Sequence, residues 1–330
     1  MAKSVNGAFT EFNKNTVNLD LDRTKIARSS RDWLIEQLIS LPDKVEDFPK
    51  LYQNMHIKYG SFARNTKIKP LNDIDLMLTF SGEGTTYSAI EYGKNYVLNV
   101  PESATLLRKL CNNDGTLNSI KVVNKIVSSL GGIEHYRSAK RHRRQEAATL
   151  DLNSYEWVFD IVPSFYTSDT KYYIIPDGLG GWKATDPRID QDRITTINQK
   201  YNGKVPQLIR TLKFWNLRAS MTTIPSYLFE TIVLNFIESK DNLCDYIDIN
   251  LIDFWLYLKS AIYNNVNDPK GFQGNLNTLT FTEKYGISTK AEDAYTKGYD
   301  AYKFEVEEKD QNKSISKWIE IFGDKFPSYE

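Results

Sequence analysis

Apolar positions recur at two different spacings along this chain. Near the N-terminus, Ile26, Trp33, Leu34, Leu38 and Ile39 return at roughly helical intervals and predict a helix over residues 23–40. A strand is expected over 55–60, ending at Gly60, then a polar connection over 67–72 and a second strand over 73–80. Residues 119–130 predict a helix closed by Gly131 and Gly132. The stretches 146–152 and 157–162 predict a hairpin with Asn153 and Ser154 in its turn, and 172–175 a further short strand. From about Lys204 the spacing is helical. Val205, Leu208, Ile209, Leu212 and Trp215 form one apolar stripe, with Pro206 suited to a first turn. Residues 227–237 and 251–262 repeat that character. Thr289 and Glu292 stand at capping-box spacing and predict the start of a helix of about 20 residues. Ile315, Trp318, Ile319 and Phe322 mark a last helix.

The pattern divides into a half of mixed strands and helices, residues 1–200, and a helical half, residues 201–330. An α+β fold of two lobes follows, and 330 residues are enough for one. Composition narrows the partners. A chain that is 41% hydrophobic and 25% charged fits a globular protein rather than a disordered one. Lys and Arg together number 42, as do Asp and Glu, so the formal net charge is zero. A protein gripping long nucleic acid must neutralise many phosphates and is usually basic. Neutrality therefore points away from a polymer and towards a small anionic ligand in a locally charged cleft. Cys111 and Cys244 stand far apart, match no metal or redox spacing, and read as reduced thiols. The N-terminal residues lack an apolar signal segment, and no apolar run is long enough to span a membrane. A cytoplasmic protein is expected.

Candidate chemistry begins with the strand at 73–80. Side chains on a strand alternate faces, so Asp73 and Asp75 point one way while Ile74, Leu76 and Leu78 point towards a core. Two carboxylates about 7 Å apart repel each other and call for a cation, and hard oxygen donors favour Mg²⁺. An isolated pair of this spacing is common and usually solvated. Asp160 changes the picture, because it lies in the apolar run 159–162, where an unpaired carboxylate is costly to bury. It would complete a three-carboxylate site on a neighbouring strand; taken alone, it reads equally well as a strand-end aspartate at a turn. Gly60 permits a tight turn, and Ser61 with the free N–H groups of a helix start would make an anion site, or simply an N-cap. Arg210 and Lys213 share a helix flank away from the apolar stripe and would face a cleft or water. The basic run Arg137, Lys140, Arg141, Arg143 and Arg144 reads as a solvated face. His56, His135 and His142 have no ligand spacing, and the glycine-rich residues 177–181 lack the Lys-Ser/Thr of a P-loop.

The order of Gly60 and Ser61, then Asp73 and Asp75, then a distant Asp160 resembles the nucleotidyltransferase superfamily that includes DNA polymerase β. The segments 208–216 and 224–230, with Asp268 and Pro269, are similar to the helical half of one branch, the bacterial cGAS/DncV-like nucleotidyltransferases (CD-NTases). The resemblance runs from about Arg23 to the end of the chain. It implies a polymerase β-like two-lobed fold with a catalytic cleft between lobes. Asp73 and Asp75 would ligate two Mg²⁺ ions, with Mn²⁺ as a substitute, and Asp160 would join them and help deprotonate the attacking ribose hydroxyl. Gly60 and Ser61 would contact the β- and γ-phosphates, Lys213 and Ser226 would hold the triphosphate, and Tyr227 would stack on the donor base. The implied product is a cyclic di- or trinucleotide made from nucleoside triphosphates, with ATP and GTP expected, in CBASS anti-phage signalling. A cyclic-nucleotide-responsive effector and a regulatory partner go with that role. An enzyme extending RNA 3′ ends, or a non-catalytic nucleotide-binding scaffold, are the competing readings.

Overall fold

The computed structural model describes residues 2–330. Helix α1 (Val5–Phe12) runs into a π-helical turn (Asn13–Val17), and α2 (Leu21–Ile39) and the single turn α3 (Leu41–Lys44) follow. Asp20 starts α2, its side chain accepting the N–H groups of Asp22 and Arg23. Strand β1 (Ile57–Tyr59), the single turn α4 (Gly60–Ala63) and β2 (Asp73–Phe80) come next. The hairpin β3 (Thr86–Glu91) and β4 (Asn95–Asn99) leads through the short α5 (Thr105–Arg108) to α6 (Ser119–Leu130). Strands β5 (Lys140–Arg144), β6 (Ala147–Asp151), β7 (Val158–Tyr166), β8 (Tyr173–Pro176) and β9 (Trp182–Thr185) complete one nine-stranded sheet.

Its strand order is β1-β2-β7-β8-β9-β4-β3, with β6 on the N-terminal part of β7 and β5 beyond β6. The pairing of β2 with β7 is parallel, whereas the other strand pairs are antiparallel. One face of the sheet is buried by α2 and α6, where Ala27, Leu34, Leu38, Val122 and Ile126 meet Ile74, Leu76, Leu78, Phe159 and Ile161. This is the core that the apolar positions of 73–80 point towards. The opposite face of β2 and β7 carries the three aspartates and a small cluster of Met77, Ala147, Val162 and Tyr173.

The remaining helices are α7 (Pro187–Lys200), α8 (Val205–Arg218), α9 (Ser226–Glu238), α10 (Ile247–Ala261), α11 (Phe281–Val306) and α12 (Gln311–Phe322). They share a second core, centred on Leu212, Trp215, Phe229, Trp255, Trp318 and Phe322. Set against the expected division at residue 200, Val5, Phe9 and Phe12 of α1 and Ile194 and Ile197 of α7 also pack into this helical core. The capping box expected at Thr289 lies instead at Thr280 and Glu283, and α11 is 26 residues long. Its first turns carry exposed Phe281 and Tyr285, and its buried positions are mostly small, so no apolar stripe announces its start. One of those small positions is needed: a Cβ on Gly298 would come within 2.8 Å of Ile252 on α10.

Candidate active site

Asp75 on β2 stands directly opposite Asp160 on β7, and Asp73 lies two residues earlier on β2. In-register neighbours share a face and residues two apart share a face, so all three carboxylates emerge on the same side of the sheet. The row extends across four strands, because Tyr59 pairs with Asp75 and Thr149 pairs with Asp160. A 2.6 Å hydrogen bond donated by the Thr149 hydroxyl to Asp160 fixes that orientation. Burial, then the charges of Asp73 and Asp160, push the Asp75 carboxyl up to about 7. Tyr59 is raised far above the ordinary phenol range, by burial first and then by Asp75. These shifts describe acidic charge gathered on one face without enough positive charge to offset it.

Each outer carboxylate has found another partner. Lys67 pairs with Asp73, and Thr149 holds Asp160. Accordingly, among the described residues no three or more His, Cys, Asp or Glu side chains converge on a common metal position. Lys67 lies in the stretch that the sequence reading takes only as a polar connection; a lysine six residues before an aspartate carries no pattern that would single it out.

Gly60 sits beneath this row. Its φ is +75°, a left-handed conformation, and a Cβ there would overlap the Asp75 carboxylate. The glycine is thus required twice, by the turn and by the space Asp75 occupies. The helix expected after Gly60 is the one turn α4, and the Ser61 carbonyl accepts the N–H groups of Thr66 and Lys67, folding the connection back towards β2.

A cleft of about 440 Å³ opens beside Asp73. Ser61, Lys67 and Asp73 line it from the sheet side, and Lys213, Ser226 and Tyr227 from α8 and α9. Asp75 and Asp160 lie beyond Asp73 on the same sheet face. Lys213 is buried and bound to Glu230 of α9 at 2.5 Å. Arg64 meets the other Glu230 oxygen at 2.8 Å, and the Thr66 hydroxyl donates to Glu230 at 3.1 Å. Burial alone would raise Glu230, but Lys213 and Arg64 outweigh it and draw the carboxyl down to about 2. Glu230 falls in the segment 224–230 that carries the family resemblance, yet its role as a floor joining both lobes shows only in three dimensions.

Arg210 does not join Lys213 in the cleft. Its guanidinium donates to Asn18 at 2.7 Å and to the Asn65 carbonyl at 2.6 Å, so this flank ties α8 to the segment after α1. Ser226 is exposed at the first position of α9. The Tyr227 hydroxyl lies 2.9 Å from Asp190 and 2.8 Å from Asp268, and the Lys270 ammonium sits 4.2 Å from its ring centre. Asp268 in turn accepts the N–H groups of Lys270, Phe272 and Gln273, which clamps its own loop.

No protein-family model matches the chain. It is 51% identical, over the full length of both chains, to a probable cyclic nucleotide synthase of Bacillus cereus (strain VD146). Among solved structures it is similar to CdnC of Escherichia coli MS115-1 with ATP, at a TM-score of 0.71 and 17% identity over 97% of this chain and 98% of that one. The same protein has been solved in complex with a HORMA protein, at a TM-score of 0.69, 16% identity and the same coverage. Vibrio cholerae DncV, in its apo form, superposes at a TM-score of 0.70 with 12% identity, covering 98% of this chain and 96% of that one. At these identities the two structural likenesses establish the two-lobed nucleotidyltransferase fold, and the Bacillus relative establishes kinship. The chain belongs to the cGAS/DncV-like nucleotidyltransferase family of bacteria, the CD-NTases.

Proposed function

We propose that the chain is a cyclic oligonucleotide synthase that joins nucleoside triphosphates, with ATP and GTP as the expected pair, and releases pyrophosphate. The observation that carries this reading is the register of Asp75 against Asp160 with Asp73 on the same face, at the mouth of a cleft floored by Lys213. The donor chemistry suits divalent cations: three carboxylates share one face, and the innermost is pushed up to about 7 by burial and the other two. Asp73 and Asp160 must first leave Lys67 and Thr149 to converge on an ion. Asp73, Asp75 and Asp160 would hold two Mg²⁺ ions, with Mn²⁺ as a substitute. Such ions, when bound, neutralise charge around the α-phosphorus and make the acceptor hydroxyl easier to deprotonate.

The chain's own residues set the geometry. Ser61 and the α4 turn would contact the β- and γ-phosphates, opposite Lys213 and Ser226. Lys213 reaches a triphosphate from a position already fixed by Glu230, so little side-chain freedom is lost on binding. Tyr227, held through its hydroxyl by Asp190 and Asp268, would offer its ring to the donor base. The acceptor hydroxyl attacks the α-phosphorus, an O–P bond forms, and pyrophosphate leaves. A second round within the linear product closes a cyclic di- or trinucleotide. Such a product suits signalling to an effector in anti-phage defence, and a regulator acting on the synthase belongs to the same proposal.

Mixed nucleoside triphosphates with Mg²⁺ should give pyrophosphate and a phosphatase-resistant product of two or three nucleotides. Asp73→Asn combined with Asp75→Asn should abolish both and leave the protein folded, since the repulsion relieved at Asp75 offsets the lost pairing of Asp73 with Lys67. Full activity in that variant would sink the carboxylate site. Extension of an RNA primer without a small cyclic product would assign the chain to RNA 3′ ends instead.

A further inference from the structure

Apart from Arg137, the basic run that reads as a solvated face is a strand, β5, and its register places three of its five residues on the catalytic side of the sheet. His142 pairs with Thr149, Arg144 with Ala147 and Lys140 with Asp151. Thr149 bonds Asp160, and Ala147 packs with Met77 and Val162 on the face that carries the aspartates. Lys140, His142 and Arg144 therefore extend that face outward past Asp160. Arg141 and Arg143 point to the other side, where Arg141 donates to the Tyr136 carbonyl and lies against Gly131 at the end of α6.

The three outward extensions are exposed, and none has a hydrogen bond or ion pair to another side chain among the described residues. The nearby acids do not engage them. Glu146 is paired with Lys183 at 3.5 Å, and Asp151, though opposite Lys140, forms no ion pair with it. An unpaired basic strip beside a cluster of carboxylates could lower its energy by bonding them, and here it stays free.

We propose that Lys140, His142 and Arg144 form the subsite for the 5′-triphosphate of the acceptor nucleotide. The inference rests on the synthase reading and deepens it by naming what binds the second substrate. β5 lies two strand spacings from β7, about 10 Å from Asp160. A 5′-triphosphate extends that far from its own ribose, so a nucleotide with its sugar hydroxyl at Asp160 sets its phosphates over β5. The donor's triphosphate occupies the opposite side, between Ser61 and Lys213. Separate cationic ground for the two triphosphates also keeps their like charges apart.

The test separates donor from acceptor. A 2′,3′-dideoxynucleoside triphosphate can only donate, and an α,β-methylene nucleoside triphosphate can only accept. With this pair, the Lys140→Ala, Arg144→Ala double variant should raise KM for the triphosphate acceptor by about tenfold or more. KM for the plain nucleoside as acceptor should not change, and Arg143→Ala, on the other face of the strand, should behave as the parent. An unchanged acceptor KM in the double variant, or equal losses for both acceptors, would overturn the subsite. A parent protein that joins no nucleotides would instead overturn the synthase reading.

Discussion

Gly60 and Asp75 share a space that only one of them can fill. The glycine's φ of +75° and the carboxylate lying where its Cβ would stand make this turn part of the site rather than a connector. Gly60→Ala must adopt a left-handed conformation, at a cost of about 1–2 kcal/mol, and must also displace Asp75 from its register with Asp160. Activity should fall much further than stability. Urea unfolding and initial rates measured on the same preparation check this, and a variant with parental rates would show that Asp75 tolerates the shift. At this scale the sequence was informative because the requirement is local: a glycine next to a serine and two aspartates at strand spacing are visible in one dimension. The partners that tune them are not. Lys67 against Asp73 and Thr149 against Asp160 depend on how the connection folds back and on which strand lies beside which.

Among the elements, α9 does more than supply Ser226 and Tyr227 to the cleft. Glu230, one turn into that helix, holds Lys213 of α8 and Arg64 just after α4, so three elements from both lobes meet at one carboxylate. All three side chains are nearly buried, which makes the loss of one charge costly. Glu230→Gln leaves two cations facing a neutral amide and should destabilise the protein by about 3 kcal/mol. KM for nucleoside triphosphates should rise as Lys213 loses its fixed position. A urea midpoint equal to that of the parent would show the network to be dispensable. Most of the elements that were legible in advance share one property, an apolar stripe facing a core. Helices α6, α8 and α9 and strands β2, β6 and β7 all have it. In α2 that stripe is Ala27, Leu34 and Leu38, while the expected Ile26 and Ile39 are exposed. Of those that were missed, α1, α7, β4 and β9 also bury apolar positions, but in elements too short or too polar for the pattern to stand out, whereas β3 and β5 lack it altogether. β3 is exposed at five of its six residues and β5 is entirely basic or histidine, so neither shows alternating hydrophobicity. The pairing that makes them strands comes from the neighbouring strand's backbone, which no local window contains.

Across the whole molecule, the two cores are joined by more than the floor of the cleft. The loop between α10 and α11 belongs to the helical half, yet its Phe272 is buried in the sheet half, 5.1 Å from the Tyr172 ring and 5.9 Å from that of Tyr92. The Phe272 carbonyl lies against Gly93 at the turn of the β3–β4 hairpin, in the space a side chain would take. Asp268 ties the same loop to Tyr227. One segment thus spans from the far end of the sheet to the wall of the cleft, and its two anchors work by different physics: an aromatic side chain in an apolar socket, and a carboxylate collecting N–H groups. Phe272→Ala removes the first and keeps the second. It should cost about 3 kcal/mol, as truncation of a buried aromatic does. The loss should also be local, with faster amide hydrogen exchange in β3, β4 and the loop, and unchanged exchange in α10 and α12, whose burial owes nothing to Phe272. Because Asp268, which the variant keeps, holds the Tyr227 hydroxyl, nucleotide affinity should stay near the parental value in the same variant. Exchange that quickens evenly through both halves would mean that the lobes unfold as one unit and that the loop is packing rather than a tether. Exchange confined to the hairpin and loop, with nucleotide binding retained, would place the mechanical link between lobes at Phe272 and the chemical one at Asp268.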